Sequence, residues 1–519
     1  MKALKILFIT LALNAGCASY SLTNVLPRSE VIKPAAHSPL AKSVASHTAE
    51  SGFFPLIDGS SAYDARAALA STAVTSLDIQ YYIWHRDRTG MALLAELLDA
   101  AERGVRVRLL LDDMNLGDDR EFLADLDRHP NLEIRIYNPS SSDGQGLSQV
   151  TRGLQLVFDF ATMNHRMHNK LFIADSSYAV IGGRNIGDEY FDLKKDRSFR
   201  DLDVLTAGPV VRDLGKTFDQ YWNSKLVYGL HAEGEPEVQV TGEAWHRLRK
   251  DRKIAKGEHP EVLFSDIASQ ALTLSRIETL SNKLIWAPAQ AMADQPVLGD
   301  VPGKGLEDQL KKWPRPKREF LVESAYFIPP KELMALFRDL EDKGVEVKIL
   351  TNSLQSNDVM LAHAGYMSKR QDVLATGAEL FEWRMDKVKV NTGKKGGIYA
   401  SRAGLHSKTF VIDDEYVFIG SMNLDARSIE LNTESGMMIQ SKELAQIIGR
   451  FIKDGMGSES SWKVSLECID SACQQSRKKV QWVGEKNGRL QTLDHEPESS
   501  FWRRSAAKLM SYLPIEDKL

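Results

Sequence analysis

The sequence predicts an α/β protein built as two pseudo-symmetric α/β/α halves. Two observations carry this: a short pattern that occurs twice, and a strand, helix, strand stretch upstream of each copy. The pattern is His168-x-Lys170-x4-Asp175, then His406-x-Lys408-x4-Asp413. A small-residue turn and an asparagine follow each copy, Gly182-Gly183-Arg184-Asn185 and Gly420-Ser421-Met422-Asn423. The offset is constant, 406 − 168 and 423 − 185 both giving 238. One such pattern is expected by chance only ~0.05 times in a chain of this length at ordinary composition. Two copies with matching tails indicate an internal duplication.

The elements follow in chain order. Lys2 and Lys5 precede an apolar run over residues 6–13, closed by Asn14-Ala15-Gly16-Cys17. This reads as a bacterial export signal over 1–16 and resembles a lipobox, with Asn14 where an aliphatic residue is usual and Leu13 one place early. Lipidation of Cys17 is expected, with simple cleavage or an uncleaved anchor as alternatives, and 17–50 is expected to be a flexible tether. The first half, 51–232, opens with strand 77–83, a helix near 91–102 and strand 104–111. Residues 233–313 read as a connector carrying one or two helices. The second half, 314–456, repeats strand 320–328, a helix near 331–343 and strand 344–350, and 457–519 is a C-terminal extension. The nearly continuous apolar strands suit a sheet covered on both faces. Tyr82, Trp84, Tyr326 and Phe327 end the first strand of each unit, where they either line a lipid-facing mouth or pack in the core. Residues 501–513 form an amphipathic segment with Arg503, Arg504 and Lys508, read as an interfacial helix or as a helix docked on the protein's own core.

The spacing within each motif has a chemical consequence. On a strand, residues i and i+2 share a face, so each His projects beside its Lys. Residues 171–174 and 409–412 continue as apolar strands, and 178–181 and 416–419 return. Asp175 and Asp413 then lie in the connecting turns, where they are expected to brace the hairpins. A metal site pairing His168 with His165 is the bland alternative, and it needs further ligands.

The paired motifs resemble those of the phospholipase D superfamily. The resemblance implies two phospholipase D-like halves forming one active site at their interface, with one His attacking phosphorus and the other protonating the leaving alkoxide. Lys170, Lys408, Asn185 and Asn423 would hold the anionic phosphodiester, and no metal or other cofactor is expected. The sequence does not decide which His attacks; His168 is favoured as nucleophile and His406 as general acid, because relatives generally use the N-terminal motif. Each His requires a carboxylate at its far ring nitrogen. Glu434 resembles this orienting acid in the second half, and Asp203, beside Asp201, is the better match in the first. The spacings differ, 434 − 406 giving 28 and 203 − 168 giving 35, which requires an insertion within 188–199.

The chain of 519 residues has a net charge of −4, which argues against a dedicated nucleic-acid binder. Its three cysteines leave Cys468 and Cys473 as a possible disulfide once Cys17 is lipidated. The export signal, residues 80–84, the block 182–191 and the Trp286 connector further resemble exported cardiolipin synthase C-like members of the superfamily. That resemblance implies a phosphatidyltransferase acting on phosphatidylglycerol and a donor such as phosphatidylethanolamine, at a membrane surface in the bacterial envelope, with no nucleic-acid partner. A phospholipase D-type hydrolase, an exported nuclease and a non-catalytic lipid-binding protein are the alternatives.

Overall fold

The computed structural model describes residues 26–116, 119–139, 165–194, 198–230, 248, 282–296, 305–385, 388–390, 399–401, 403–468, 478–486 and 488–512. The leucine-rich core of Arg106–Asp112 and the apolar run Leu171–Ala174 are buried along nearly their whole length, so they form central strands. Each half is a mixed sheet with the same central order. In the first, strands Asp203–Ala207, Tyr178–Gly182, Leu171–Ala174, Ser76–Tyr81, Arg106–Asp112 and Leu132–Tyr137 lie side by side, the last three parallel. In the second, Ser435–Gln440, Tyr416–Gly420, Lys408–Ile412, Glu319–Ser324, Glu346–Asn352 and Glu379–Trp383 repeat that order.

The expected crossover helices are present as Arg88–Glu102 and Lys331–Asp342. Gly104 and Gly344 follow them at φ of 91° and 78°, left-handed values that turn the chain back towards the next strand without a Cβ clash. A shared core of Leu171, Ile173, Val204, Leu321, Val411 and Ile439, with helices Pro209–Trp222 and Lys442–Gly455, joins the halves. Separate apolar clusters cover the outer face of each sheet.

One expectation needs correction, and two further segments carry strands that the sequence does not predict. The stretch after Cys17 is not a flexible tether from residue 26 onward: Val31 N–H donates to Asp219, the Arg108 guanidinium donates to the Ser29 carbonyl, and Pro39–Val44 is a helix. Buried arginines give this proline- and serine-containing segment backbone partners, so it packs despite its polarity. The connector carries the short helix Leu306–Leu310 as expected, but also two strands. Ile285–Ala287 pairs with Ser51–Leu56 in one sheet and Ala289–Ala293 with Ser435–Gln440 in the other, so the chain steps between sheets at Pro288. The C-terminal extension adds strands Ser461–Cys468, Lys478–Lys486 and Arg489–Leu493 to the second sheet. Among the described residues, no helix is long and apolar enough to cross a membrane.

Candidate active site

The two motifs meet because the halves exchange short parallel strand pairings. Ala403–Leu405 pairs with Ser198–Arg200, and Met167 bridges to Thr433. The His406 N–H donates to the Arg200 carbonyl at 2.8 Å, and the His168 N–H to the Thr433 carbonyl at 2.9 Å. Each His therefore enters the site on backbone paired with the opposite half. The residue just beyond each pairing supplies the carboxylate.

Glu434 accepts from Nδ1 of His168 at 2.9 Å, and Asp201 accepts from Nδ1 of His406 at 2.7 Å. All four side chains are buried. With Nδ1 held by a carboxylate, Nε2 of each ring is the nitrogen left to meet a phosphorus or a leaving oxygen. Glu434, the orienting acid expected from the second half, thus bonds the His of the first half.

Asp203 is not an orienting acid. It pairs with Arg66 at 2.8 Å and Arg184 at 3.5 Å inside the first half. Strand register gives the reason: Gly182 faces Asp203 and Gly420 faces Gly436, so Asp203 is the counterpart of Gly436 and Asp201 that of Glu434. Residues i and i+2 share a face only while the strand persists. Asp201 lies before the strand Asp203–Ala207 begins, where the chain is already turning into the site.

Lys170 and Lys408 sit beside their histidines, each Nζ bonded to the carbonyl of its own His. Burial lowers both ammonium groups, Lys408 to about 8 and Lys170 well below its usual value. Burial and the nearby charges of Lys170 and Lys408 hold the His168 imidazolium well below its ordinary range. Burial and Lys408 lower His406 as well, while Asp201 works in the other direction. The carboxylates diverge. Burial pushes Glu434 well above the usual carboxyl range, whereas His406 and Lys408 outweigh burial at Asp201 and hold it low. Such a concentration of cations in a buried site favours an anionic ligand.

Asn185 and Asn423 are also brought in. Asn185 Oδ1 accepts from the Ile83 N–H at 3.3 Å and its Nδ2 donates to the Tyr190 hydroxyl at 3.0 Å, while Asn423 Oδ1 accepts from the Tyr326 N–H at 3.4 Å. Asp175 and Asp413 stand at the far ends of the motif strands, at φ of 49° and 57°. Asp175 accepts from the N–H groups of Val74, Thr75 and Ser76 and from the Ser38 hydroxyl. Asp413 accepts from the N–H groups of Lys317, Arg318 and Glu319. Both tie a hairpin turn to the start of the neighbouring antiparallel strand. His165, the alternative metal partner, has its Nδ1 on the Leu431 carbonyl instead.

Several residues near the site were not singled out by the motifs. Tyr82 lies edge-on to His168 with centroids 5.1 Å apart, and Tyr190 edge-on to His406 at 5.2 Å. Of the other strand-end aromatics, Trp84 and Phe327 are core residues. Asp112 accepts from the Met167 N–H at 2.9 Å, and Asn352 from the Leu405 N–H at 2.9 Å, so each fixes the residue before a histidine. Their strands occupy matching places in the two sheets, a relationship that no local motif reveals.

Comparison with known proteins agrees with this geometry. The family model described as cardiolipin synthase, PLD-like domain, matches residues 67–222 and 314–454. Cardiolipin synthase C of Escherichia coli (strain K12) is 37% identical over 484 residues, 91% of this chain and 96% of that protein. An uncharacterized protein of Helicobacter pylori (strain J99 / ATCC 700824) is 32% identical over 91% of both chains. The solved phosphatidylserine synthase of Haemophilus influenzae Rd KW20 superposes with a TM-score of 0.53 at 14% identity, covering 92% of this chain and 96% of its own, a likeness of fold. With both family-model matches falling on the duplicated halves, the chain belongs to the cardiolipin synthase family of phospholipase D-like proteins.

Proposed function

We propose that this protein is a phosphatidyltransferase that makes cardiolipin, moving a phosphatidyl group from a donor such as phosphatidylethanolamine onto phosphatidylglycerol. The observation that carries the reading is the pair of crossed His–carboxylate contacts, His168 with Glu434 and His406 with Asp201, around two buried lysines. The 37% identity to a cardiolipin synthase across almost the whole chain supports the choice of substrate.

In the first step Nε2 of His168 attacks the donor phosphorus, the P–O bond to the headgroup breaks, and His406 gives its proton to the leaving alkoxide. In the second, neutral His406 takes the proton of the phosphatidylglycerol hydroxyl, whose oxygen attacks phosphorus and displaces His168. The carboxylates support this division. Asp201 stays anionic and stabilises an imidazolium on His406, while burial and the nearby lysines favour a neutral His168, whose Nδ1–H bond to Glu434 leaves Nε2 free to attack. Lys170 and Lys408 neutralise the phosphoryl oxygens, and binding that anion restores their own charge.

The protein belongs, on this reading, to the bacterial cell envelope, exported by residues 1–16, lipidated at Cys17 and facing the periplasm. Residues 1–25 and Cys473 lie outside the described residues, so the anchor and the Cys468–Cys473 disulfide rest on the sequence pattern. The test of function is incubation with mixed micelles of phosphatidylethanolamine and phosphatidylglycerol in chelator, followed by mass spectrometry. Cardiolipin, absent with His168→Ala, is the expected product. Phosphatidic acid alone marks a hydrolase, and no lipid product overturns the reading.

A further inference from the structure

The helix Phe501–Met510 presents an apolar face to solvent. At 3.6 residues per turn, Phe501, Trp502, Leu509 and Tyr512 fall within an arc of about 100°. They are 65%, 80%, 73% and 74% exposed, while Ala507 is buried. A helix held to its own protein by the hydrophobic effect would turn those side chains inward.

Polar contacts provide the attachment seen here. Arg503 Nε donates to the Leu354 carbonyl at 3.1 Å and its Nη2 to the Asn357 carbonyl at 2.9 Å. The Ser500 hydroxyl caps the helix by accepting from the Arg503 N–H at 3.1 Å. The inner side of the helix rests on helix Met360–Leu374.

This attachment leads directly to the active site. Asp358, next to Asn357, accepts from the Tyr326 hydroxyl at 2.8 Å, and the Tyr326 backbone donates to Asn423. Val359 on the same loop is also exposed. The apolar helical face is thus fixed to the loop that borders the second motif.

We propose that this helix is the membrane-docking element, with its aromatic face inserted at the headgroup level of an anionic phospholipid bilayer. Tryptophan, tyrosine and phenylalanine suit that boundary, where an apolar body meets a wet polar layer. Lys508 is on the exposed face, and Arg504 lies beside it on the helical projection, so cationic groups border the apolar arc in a chain of net charge −4. That asymmetry selects an anionic lipid surface rather than a purely apolar partner. The inference rests on the reading that the substrates are phospholipids, which must reach the site from a bilayer.

The test places the full chain with vesicles of phosphatidylglycerol and phosphatidylcholine brominated in the upper acyl chain. A component of tryptophan quenching should be present in the native protein and missing in Trp502→Phe; equal quenching in both overturns docking. Without vesicles, Trp502 should be accessible to acrylamide. Protection there means that a second copy or another segment of this chain covers the face, which also overturns the proposal.

Kinetics separate docking from chemistry. Trp502→Ser/Leu509→Ser should lose about tenfold in rate on vesicles and retain its rate on short-chain phospholipid dispersed below its micelle threshold. Equal rates to the native protein on both substrates, or equal losses on both, contradict the proposal. A native protein that inserts Trp502 yet transforms neither lipid leaves docking in place and removes the catalytic reading.

Discussion

Asp201 accepts a 2.7 Å hydrogen bond from Nδ1 of His406, a residue 205 positions further along the chain. Its counterpart, Glu434 on His168, spans 266 positions in the opposite sense. Neither half therefore contains a complete catalytic pair. Separate folding of the halves leaves each His without its orienting acid, so the reaction needs both halves packed on their common core.

Asp201→Asn should separate orientation from stability. An amide is near-isosteric but supports neither the required tautomer nor the imidazolium, so kcat should fall by about 10²- to 10⁴-fold with a nearly unchanged melting temperature. Asp203→Asn should do the reverse. It leaves Arg66 buried beside a neutral group, at a cost of about 3–5 kcal/mol, while the protein that remains folded turns over. Thermal unfolding and kcat measured on the same preparations check both arms.

That contrast marks the limit of what the chain reveals locally. The His–Lys pairs, the asparagines, the hairpin-bracing aspartates and both βαβ units are legible because residues close in sequence act together. The choice between Asp201 and Asp203 depends on register between Gly182 and Asp203, and on a histidine from the other half. The connector strands were hidden for another reason. Ile285–Ala287 and Ala289–Ala293 are short edge strands, and their sheet contacts are backbone hydrogen bonds that leave little pattern in side-chain composition. Residues 26–50 read as a tether because their partners, Arg108, Arg135, Asp175 and Asp219, are side chains far along the chain.

The pH profile should have a second alkaline limb, beyond that of the general acid His406, set by a lysine. Lys408 falls to about 8 in the free protein, so above that pH its ammonium is lost and its hold on the phosphoryl oxygens weakens. We expect kcat/KM to fall first as the lowered His406 loses the proton it must donate, and to fall further above about pH 8, chiefly through KM, as Lys408 loses its charge. Lys408→Arg should lower activity at neutral pH, because a fork replaces a point charge, and move the second decline to higher pH. A second decline left in place by that substitution assigns it to another group.

Asp175→Asn should act on stability rather than chemistry. The carboxylate accepts from three backbone N–H groups and two hydroxyls around the start of the strand Ser76–Tyr81. Replacing one oxygen by an amide nitrogen places a donor against donors. The expected loss is about 2–4 kcal/mol, seen as a lower denaturation midpoint, with kcat per folded molecule retained. A well-folded but inactive variant contradicts the bracing role.

Asp112 should affect His168 through the backbone. Burial raises its carboxyl to about 7, against the lowering effect of Arg166 and of the Met114 and Met167 N–H groups. Asp112→Leu removes the acceptor for Met167 and should lower kcat about tenfold or more by displacing the imidazole. Asp112→Asn keeps an acceptor, as Asn352 does for Leu405, and should recover most of that loss. Equal defects in the two variants would assign the effect to charge instead of positioning.

The most direct measurement is a single turnover with donor phospholipid labelled at its phosphate, quenched in alkali to preserve phosphohistidine and mapped by peptide mass spectrometry. The account predicts label on the peptide carrying His168, discharged into cardiolipin when phosphatidylglycerol is added. Label on the His406 peptide, or cardiolipin formed with His168→Ala, contradicts it.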